Sequence, residues 1–397
     1  MKTINVPIGP VHPALKEPTK ITVELDGERI VGADYEVGYV HRGVEWAGMR
    51  QNLVRTIYLA ERTCGICAFC HPWCLVQAVE EIAGLEVPLR ADYIRVIMSE
   101  LERIHSHVLW AGVAAHEIGF DSLMHFTWKV REDVLDTIEM LSGNRITYGI
   151  LQFGGVRRDV DERMAVRVLH SVNYYRSLVE KLEKVLLGDP TISVRAKGVG
   201  VLTKQEALEM VAVGPTARAS GVNKDVRQDF GYSAYPELGV KAITTKNGDV
   251  SDRIYVRIRE LAQSCDILEK CVKQMPKGKI ISEPNITKLL FDLQKVEGEA
   301  IGRHEAPRGE VFHYLRMEKQ EAPVAWKIRA PTYNNLQSWP IILMGEELAD
   351  VPIIAASIDP CMSCTDRVTV VRGNERSVMT DLDLHKLSVA KTRRLMK

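Results

Sequence analysis

The sequence has no excess of charge of either sign. Its 397 residues include 52 lysines and arginines and 52 aspartates and glutamates, which gives a formal net charge of zero. A protein that binds nucleic acid in bulk needs a basic excess to neutralise the phosphates. We therefore predict no nucleic-acid partner, and the balanced charge fits a chain that lives within a larger assembly.

Long apolar runs are also missing. No stretch approaches the roughly 20 apolar residues that a helix needs to cross a bilayer, and no apolar segment of signal-peptide length follows Met1. We therefore expect no direct membrane span, and we expect the eight cysteines to lie in a reducing cytoplasm. Paired cysteines in such a compartment indicate metal binding before disulfide bonding.

The first part of the chain is rich in proline and then in alternating apolar residues. Four prolines within residues 7–18 exclude a helix there. Ile21, Val23 and Leu25 then alternate with polar residues up to an Asp-Gly pair, which is typical of a turn between two strands. We therefore predict a small β-sheet at the N-terminus.

Apolar residues at helical spacing dominate the middle of the chain. Three such stripes are present, at residues 94–108, 126–141 and 164–186. Each predicts a long helix with one apolar face, and Asp121 is expected to cap the second helix. Because the apolar faces must be buried against one another, a helical bundle is the simplest core. A further helix is predicted over 252–275, whereas 300–335 is predicted to be loop-rich.

These patterns predict an α+β fold that is mainly α. Its centre is a bundle of long helices, with a small N-terminal β-sheet and peripheral β and loop segments. We divide the chain into an N-terminal β region over 1–45, a helical catalytic core over 46–367 that closes on the cysteine motifs, and a tail over 368–397. The whole is expected to form a single elaborated domain.

Two Cys-x-x-Cys pairs are the motif with the clearest chemical meaning. Cys64 and Cys67 lie near the start of the chain, and Cys361 and Cys364 lie near its end. Together they supply four thiolates, which is enough to close a metal site if the fold brings the two ends of the chain together. The pairs alone leave the identity of the metal open.

The same region is compatible with three other centres. Four cysteines have the C-x2-C-x2-C-x3-C spacing of iron–sulfur proteins: Cys64, Cys67, Cys70 and Cys74. The proline that usually follows is replaced by Leu75, and the second pair is left without a role. Cys67 to His71 also matches a haem-attachment pattern, although covalent haem is normally attached outside the cytoplasm. A structural zinc site from the two pairs is the third alternative, although such sites normally staple short loops.

The residues around the cysteines carry a family resemblance. Four segments resemble signatures of the large, catalytic subunit of nickel–iron hydrogenases: His41–Glu45, Arg62–Cys67, Glu305–Gly309 and Ser357–Cys364. Three others resemble the 49-kDa quinone-site subunit of respiratory complex I: Gly9–Pro13, Ser99–His107 and Ile118–Asp121. The combination points to the membrane-bound, energy-converting hydrogenase branch that is related to complex I.

The resemblance implies a nickel–iron centre with carbon monoxide and cyanide ligands on the iron. In this family the first cysteine of each pair is terminal on nickel and the second bridges the metals. Carried over, Cys64 and Cys361 would be terminal, and Cys67 and Cys364 would bridge. Soft thiolates suit both metals.

The implied activity is the reversible reduction of two protons by two electrons to H2. Electrons would come from ferredoxin through a small [4Fe-4S] partner subunit and ferredoxin-like electron carrier subunits. Membrane antiporter-like and quinone-subunit-like proteins would couple the reaction to ion translocation. The chain would then lie in the peripheral arm of a membrane complex, on the cytoplasmic side of the cell membrane.

The resemblance also implies roles for four individual residues, one of them a cysteine of the second pair. Cys361 would accept a proton first, and Glu17 would carry it away as a proton-relay carboxylate. Arg308 would lie over the open metal position, where a guanidinium that keeps its proton polarises its surroundings. Glu45 resembles a carboxylate that binds a second metal, which would be magnesium. Arg367 stands where relatives have a histidine ligand for that metal, and arginine is a poor ligand.

The sequence is also compatible with two other functions. One is a non-catalytic, complex I-like scaffold or quinone-site subunit with a structural metal site. The other keeps the centre but changes the electron acceptor, as in a sulfur- or quinone-reducing relative. Both intact cysteine pairs favour the hydrogenase interpretation over these alternatives.

The C-terminal tail, residues 368–397, raises the question of whether it is removed when the protein matures. Many hydrogenase large subunits lose a short C-terminal extension once nickel is inserted. Here the sequence predicts a strand from Val368, a turn at Gly373-Asn374 and a helix starting near Asp381. This pattern resembles a retained, folded tail, and we expect the tail to be kept.

Overall fold

The computed structural model describes residues 3–365, 368–372 and 375–396. The predicted fold class is confirmed, because the described residues form mainly helices with small antiparallel sheets. None of the helices in this part of the chain has the length and apolar character that a bilayer crossing requires.

The N-terminal sheet has the predicted hairpin at its centre. Its strands pair in the order β1-β2-β3, all antiparallel: β1 (Ile4–Ile8), β2 (Lys20–Asp26) and β3 (Arg29–Glu36). Ile21 and Val23 face the core and are fully buried. Gly27 adopts the left-handed conformation that the turn between β2 and β3 requires. The proline-rich stretch between β1 and β2 contains no helix, as predicted.

The first half of the core is built from long helices and one two-stranded hairpin. In chain order they are α1 (Val44–Gly48), α2 (Leu53–Glu61), α3 (Cys70–Ala83), α4 (Leu89–Glu117), α5 (Asp121–Ser142), β4 (Leu151–Gln152), β5 (Gly155–Val156) and α6 (Glu162–Leu186). The three apolar stripes correspond to α4, α5 and α6. The predicted cap at Asp121 is wrong, because its carboxylate pairs with His116 Nδ1 at 2.6 Å.

Shorter helices and one further long helix follow in the chain. They are α7 (Pro190–Ala196), α8 (Lys204–Glu209), α9 (Gly214–Ala219), α10 (Val226–Asp229), α11 (Tyr235–Leu238), α12 (Val250–Gln274) and α13 (Ile286–Leu293). The helix predicted over 252–275 is α12, and it packs against both α4 and α6. Helix α4 is buried along most of its length and forms the axis of the bundle.

The prediction of loops over 300–335 is wrong. This region forms an antiparallel sheet in the order β6-β7-β8: β6 (Glu297–Ala306), β7 (Gly309–Glu318) and β8 (Ala325–Arg329). Strand β6 lies directly on α3, where a Cβ on Gly302 would come within 1.8 Å of the Cys74 carbonyl oxygen. The inward positions include polar residues such as His304 and His313, which hide the alternation expected of a strand.

The last described elements are three short α-helices, a pair of antiparallel strands and a final helix. They are α14 (Pro331–Asn335), α15 (Trp339–Ile342), α16 (Val351–Ser357), β9 (Val368–Arg372), β10 (Glu375–Met379) and α17 (Asp381–Leu395). Helix α17 contacts the body of the protein where His385 stacks on Trp46, with ring centroids 4.6 Å apart. The predicted turn at Gly373-Asn374 and the predicted non-ligand Arg367 lie outside the described residues.

Candidate metal centre

The first cysteine pair lies in the loop between α2 and α3. Glu102, a buried residue of α4, accepts hydrogen bonds from the backbone N–H groups of Phe69 at 2.5 Å and Cys70 at 3.2 Å. It thereby satisfies donors at the start of α3 that have no partner within the helix. Burial is the main cause that raises the pKa of Glu102 to about 8. The long helix α4 thus fixes the end of the first cysteine loop.

The second pair lies in the turn that follows α16. Asp359 enters this turn with a φ of 54°, a left-handed conformation that non-glycine residues rarely adopt. The backbone N–H of Cys361 donates to Thr332 Oγ1 at 3.0 Å. The N–H groups of the next two residues donate to the carboxylate of Glu17. The proline-rich N-terminal segment therefore holds the second cysteine loop in place.

Arg42 joins the two cysteine loops. Its guanidinium donates to the carbonyl oxygens of Arg62 at 2.8 Å and Thr63 at 2.6 Å, just before the first pair. It also donates to the carbonyl oxygen of Ser363, within the second pair, at 3.1 Å. Sequence reasoning missed this residue, although Arg42 lies inside the segment His41–Glu45 that carries part of the family resemblance.

All four predicted cysteines are buried, and their sulfur atoms meet. Cys361 Sγ lies 3.2 Å from Cys64 Sγ and 3.1 Å from Cys364 Sγ. These three sulfurs are close enough together to hold one metal ion. The thiol of Cys67 interacts with both Cys64 and Cys364. The fold thus brings both ends of the chain to one point.

The pKa shifts of the cysteines show that the cluster needs added positive charge before all four thiols can lose their protons. Hydrogen bonds from Cys361, Cys364 and Cys67 hold the pKa of Cys64 well below its ordinary value. The hydrogen bonds with Cys361, Cys64 and Cys67 raise the pKa of Cys364 well above its own. One thiolate is therefore stabilised at the expense of its neighbours. Four thiolates would need metal cations as counter-charges, and soft metals such as nickel, iron and zinc fit this donor set.

Cys70 and Cys74 are not among the three cysteines whose sulfurs lie close enough together to hold one metal ion, although the Cys70 thiol contacts that of Cys67. Each hydrogen-bonds to a backbone carbonyl oxygen, Cys70 to that of Cys67 at 3.5 Å and Cys74 to that of Val311 at 3.6 Å. Burial raises the pKa of both thiols well above the ordinary value, so both stay protonated. The four-residue spacing between Cys70 and Cys74 is that of a helix, because α3 begins at Cys70. The second half of the iron–sulfur-like pattern therefore reflects a helix.

His71, part of the apparent haem-attachment motif, faces the cysteine cluster instead. Its Nε2 atom lies 3.4 Å from Cys364 Sγ, and its Nδ1 atom lies 3.0 Å from Nε2 of His313. Sequence reasoning gave His71 only a place in the haem-attachment pattern and assigned no role to His313. The only available signal was the position of His71 immediately after the cysteine-rich stretch.

Arg308 lies in the β6–β7 turn and points into the cluster. Its Nη1 donates to Cys67 Sγ at 3.1 Å, and its Nε and Nη2 donate to the carbonyl and carboxylate oxygens of Asp359 at 2.7 and 3.1 Å. A Cβ on Gly214 would lie 2.3 Å from the Arg308 carbonyl oxygen, so glycine is required for α9 to approach the turn. Arg308 therefore links the first cysteine pair to the residue that opens the second.

Glu45 lies apart from the cysteines. Its fully buried carboxylate accepts hydrogen bonds from Lys327 Nζ at 2.8 Å and from the backbone N–H of Ile328 at 2.9 Å. Within the described ranges, Glu45 does not form part of a cluster of metal-binding side chains. The contact with Lys327 supplies a cation to the carboxylate from within the chain.

Comparison with known proteins identifies the family. One family model, for the 49 Kd subunit of respiratory-chain NADH dehydrogenase, matches residues 117–367, and another, for nickel-dependent hydrogenases, matches residues 42–111. The membrane-bound hydrogenase subunit alpha of Pyrococcus furiosus is 50% identical over 401 residues, covering 99% of this chain and 94% of that protein. The chain belongs to the nickel–iron hydrogenase large-subunit family, in its membrane-bound, complex I-related branch.

Other relatives agree with this family assignment. The carbon monoxide-induced hydrogenase of Rhodospirillum rubrum is 36% identical over 376 residues, covering 92% of this chain and 100% of that protein. A subunit in the solved structure of the membrane-bound sulfane sulfur reductase, an archaeal respiratory membrane complex, is 31% identical with a TM-score of 0.87. That match covers 92% of this chain and 98% of the other. The resemblance seen in the sequence and the fold that it implies are both confirmed.

Proposed function

We propose that this chain is the catalytic subunit of an energy-converting nickel–iron hydrogenase, which reduces protons to H2 and oxidises H2 in the reverse direction. The observation that carries the proposal is the meeting of two distant Cys-x-x-Cys pairs in one buried cluster with Sγ–Sγ distances of 3.1 and 3.2 Å. The relative that is 50% identical bears the name of a membrane-bound hydrogenase subunit.

The four cysteines would hold the nickel–iron centre. Cys64 and Cys361 would be terminal ligands of nickel, and Cys67 and Cys364 would bridge to an iron that carries carbon monoxide and cyanide. When bound, such a centre supplies heterolytic cleavage of H2 and electron transfer. The donor set fits, because soft thiolates serve both metals and the cluster needs a cation to ionise.

Glu17 would serve as the first carboxylate of a proton relay. It is half-buried, and it accepts hydrogen bonds from the backbone N–H of Met362 and from the hydroxyl of Ser363, the two residues between the cysteines of the second pair. A proton released at the Cys361 sulfur would therefore have an acceptor beside the same turn. A carboxylate suits this role because it can accept a proton from one neighbour and pass it to another within hydrogen-bond reach.

Arg308 would hold its positive charge beside the metals. Its contact with Cys67 Sγ places a permanent cation next to a proposed bridging ligand, and Asp359 fixes the orientation of the guanidinium. In this role Arg308 would stabilise negative charge and would not itself transfer protons. Magnesium at Glu45 remains a prediction. A magnesium ion there would have to compete with Lys327, which already provides a counter-charge for that carboxylate.

A buried centre requires partners to deliver electrons. We propose a small [4Fe-4S] subunit that adjoins this chain, with ferredoxin as the electron source and ferredoxin-like carrier subunits between them. Ion translocation would take place in antiporter-like and quinone-subunit-like membrane proteins. The chain would lie in the peripheral arm of that complex on the cytoplasmic side of the membrane.

The decisive experiment is infrared spectroscopy combined with metal analysis of the anaerobically purified complex. We expect nickel and iron in equal amounts in this subunit, with carbonyl and cyanide stretching bands that disappear in Cys364→Ser. Zinc in place of nickel in a properly matured sample, without those bands, would contradict the proposal and favour the scaffold subunit with a structural metal.

A second candidate function uses the same metal centre but passes electrons to a sulfur compound in place of protons. It is favoured by the similarity to a subunit of the sulfane sulfur reductase complex, at 31% identity. An assay that follows H2 and sulfide in parallel, with the same reduced ferredoxin and with polysulfide present or absent, separates the two. Production of H2 supports hydrogenase, whereas sulfide without H2 supports the second candidate.

A further inference from the structure

A chain of three buried rings ends on the Cys364 sulfur. Trp326 Nε1 lies 3.2 Å from His313 Nδ1, His313 Nε2 lies 3.0 Å from His71 Nδ1, and His71 Nε2 lies 3.4 Å from Cys364 Sγ. The rings come from three different elements: β8, β7 and α3. All three side chains are almost completely shielded from solvent.

The chemistry of the first group fixes the direction of the whole chain. An indole N–H can only donate a hydrogen bond, so His313 Nδ1 must accept. A histidine that accepts at Nδ1 is neutral and carries its proton on Nε2, so His313 must donate to His71 Nδ1. His71 is then neutral with its proton on Nε2, and this N–H points at the sulfur of Cys364.

The indole that sets this order is itself held in place. A Cβ on Gly48 would come within 2.2 Å of the Trp326 ring, so α1 packs directly on the ring through a residue without a side chain. The His313 ring lies edge-on to Trp326, with centroids 5.6 Å apart. Because the indole cannot turn away without displacing α1, its N–H remains aimed at His313.

We infer that Trp326 and His313 are positioning residues that fix the tautomer of His71, so that the His71 Nε2–H donates a hydrogen bond to the Cys364 sulfur. A hydrogen bond to a ligating thiolate draws electron density away from the metal it binds. The consequence for the metals rests on the proposed function, since it requires Cys364 to be a ligand. The inferred direction of the hydrogen bonds does not rest on the proposed function.

The direction can be tested without metals. In the full chain matured without nickel, proton–nitrogen correlation spectra of isotope-labelled histidine distinguish protonated from unprotonated ring nitrogens. We expect His71 and His313 both to carry their proton on Nε2 near neutral pH. Unprotonated Nε2 on His71 would overturn the inference, whatever metal the protein binds.

The effect on the centre is tested in the assembled complex. Trp326→Phe keeps a ring but removes the N–H, and we expect the carbonyl band to move to lower wavenumber as the sulfur donates more electron density. His313→Leu should give the same shift. His313→Gln should restore the original band, because a carboxamide offers one acceptor and one donor in the same order.

Trp110→Phe is the matched control for the loss of a buried indole hydrogen bond. Trp110 Nε1 donates to the carbonyl oxygen of Ala356 at 2.8 Å, outside the chain of rings. We expect no band shift in this variant. A shift as large as that of Trp326→Phe, or no shift in Trp326→Phe and His313→Leu, would contradict the inference. Absence of carbonyl bands in the wild-type complex would count against the proposed function alone, because the tautomer measurement would still stand.

Discussion

The cysteine cluster and the ionic network around Arg218 lie in the same core, but their charges are balanced in different ways. In the network, Arg218 lies 2.7 Å from both Glu260 and Glu305, and Arg227 lies 2.7 Å from Asp225. In the cluster, thiols face other thiols. The network thus contains its own counter-charges, whereas the cluster depends on cations from outside the chain.

The pKa values of the buried groups show the same difference between the network and the cluster. Burial alone would raise the pKa of Glu260, but the Arg218 guanidinium holds it well below the ordinary value. In the cluster the Arg308 guanidinium contacts the Cys67 sulfur, whereas the pKa values of Cys361 and Cys364 lie well above the ordinary value of a thiol. A buried charge is stable only when it is paired and hydrogen-bonded. The Arg218 network therefore stabilises the charge of Glu260 with a cation of the chain itself, whereas the cysteine cluster needs cations from outside the chain before all of its thiols can ionise.

The largest expected effect comes from breaking the cluster. We expect Cys64→Ser to abolish bound nickel and iron, because this thiolate is the one that its neighbours stabilise. The matched control is Cys70→Ser, since the Cys70 sulfur is not among the three that lie close enough together to hold a metal ion, and its thiol donates to a backbone carbonyl oxygen. Metal analysis of both purified variants checks the prediction. A four-iron cluster lost in Cys70→Ser would mean that the ferredoxin-like spacing was the true signal.

The second prediction breaks the network. Arg218→Leu leaves the carboxylates of Glu260 and Glu305 buried without their main cation. We expect the free energy of unfolding to fall by about 3–5 kcal/mol, as is typical when one partner of a buried ion pair is removed. Urea unfolding of the full chain measures this loss. A loss below about 1 kcal/mol would place the network in the class of exposed ion pairs.

Glu61 is a buried carboxylate that lies 3.7 Å from Arg62 Nη1, a longer contact than the 2.7 Å pairs of the Arg218 network. Its contribution to stability should depend on pH in the opposite sense to that of Glu260. Burial is the main cause that raises the pKa of Glu61 to about 7, while it accepts the N–H of Gly149 at 2.8 Å. The folded state then holds this proton more tightly than the unfolded state, so stability is highest below the unfolded pKa and falls as pH rises towards 7. Over that window the loss is about 3 kcal/mol for a single group.

Glu61→Gln is the variant that isolates this effect. Glutamine cannot ionise, so the free energy of unfolding should vary less between pH 5 and 7 than in the wild type. Unfolding curves at several pH values provide the measurement. An unchanged pH profile in Glu61→Gln would show that another group is responsible.

The elements that the sequence predicted well are those whose apolar pattern is local. The stripes of α4, α5 and α6 and the β2–β3 hairpin depend on neighbours within one element. The sheet β6-β7-β8 was missed because His304 and His313 occupy inward positions, where partners from distant elements satisfy them. Local alternation cannot reveal a partner that the fold supplies.

The residues of the candidate metal centre also differ in whether a local sequence pattern could reveal them. The cysteine pairs could be found because their spacing is local, and the family resemblance added Glu17 and Arg308. The contacts of His71, His313 and Trp326 join residues that are far apart in the chain, and single histidines and tryptophans have no distinctive spacing. Such residues become visible only once α3 and the β7–β8 hairpin are seen to pack together.

The smallest expected effect comes from a third kind of charge cluster, at the surface. Arg145 contacts three carboxylates, those of Glu132, Asp136 and Glu139, as Arg218 contacts several in the core. Water already solvates these groups, so their pairing gains little and costs side-chain entropy. We expect Arg145→Ala to leave the unfolding midpoint in urea unchanged within error. A loss comparable to that of Arg218→Leu would mean that the number of ionic contacts, and not burial, sets the strength of these clusters.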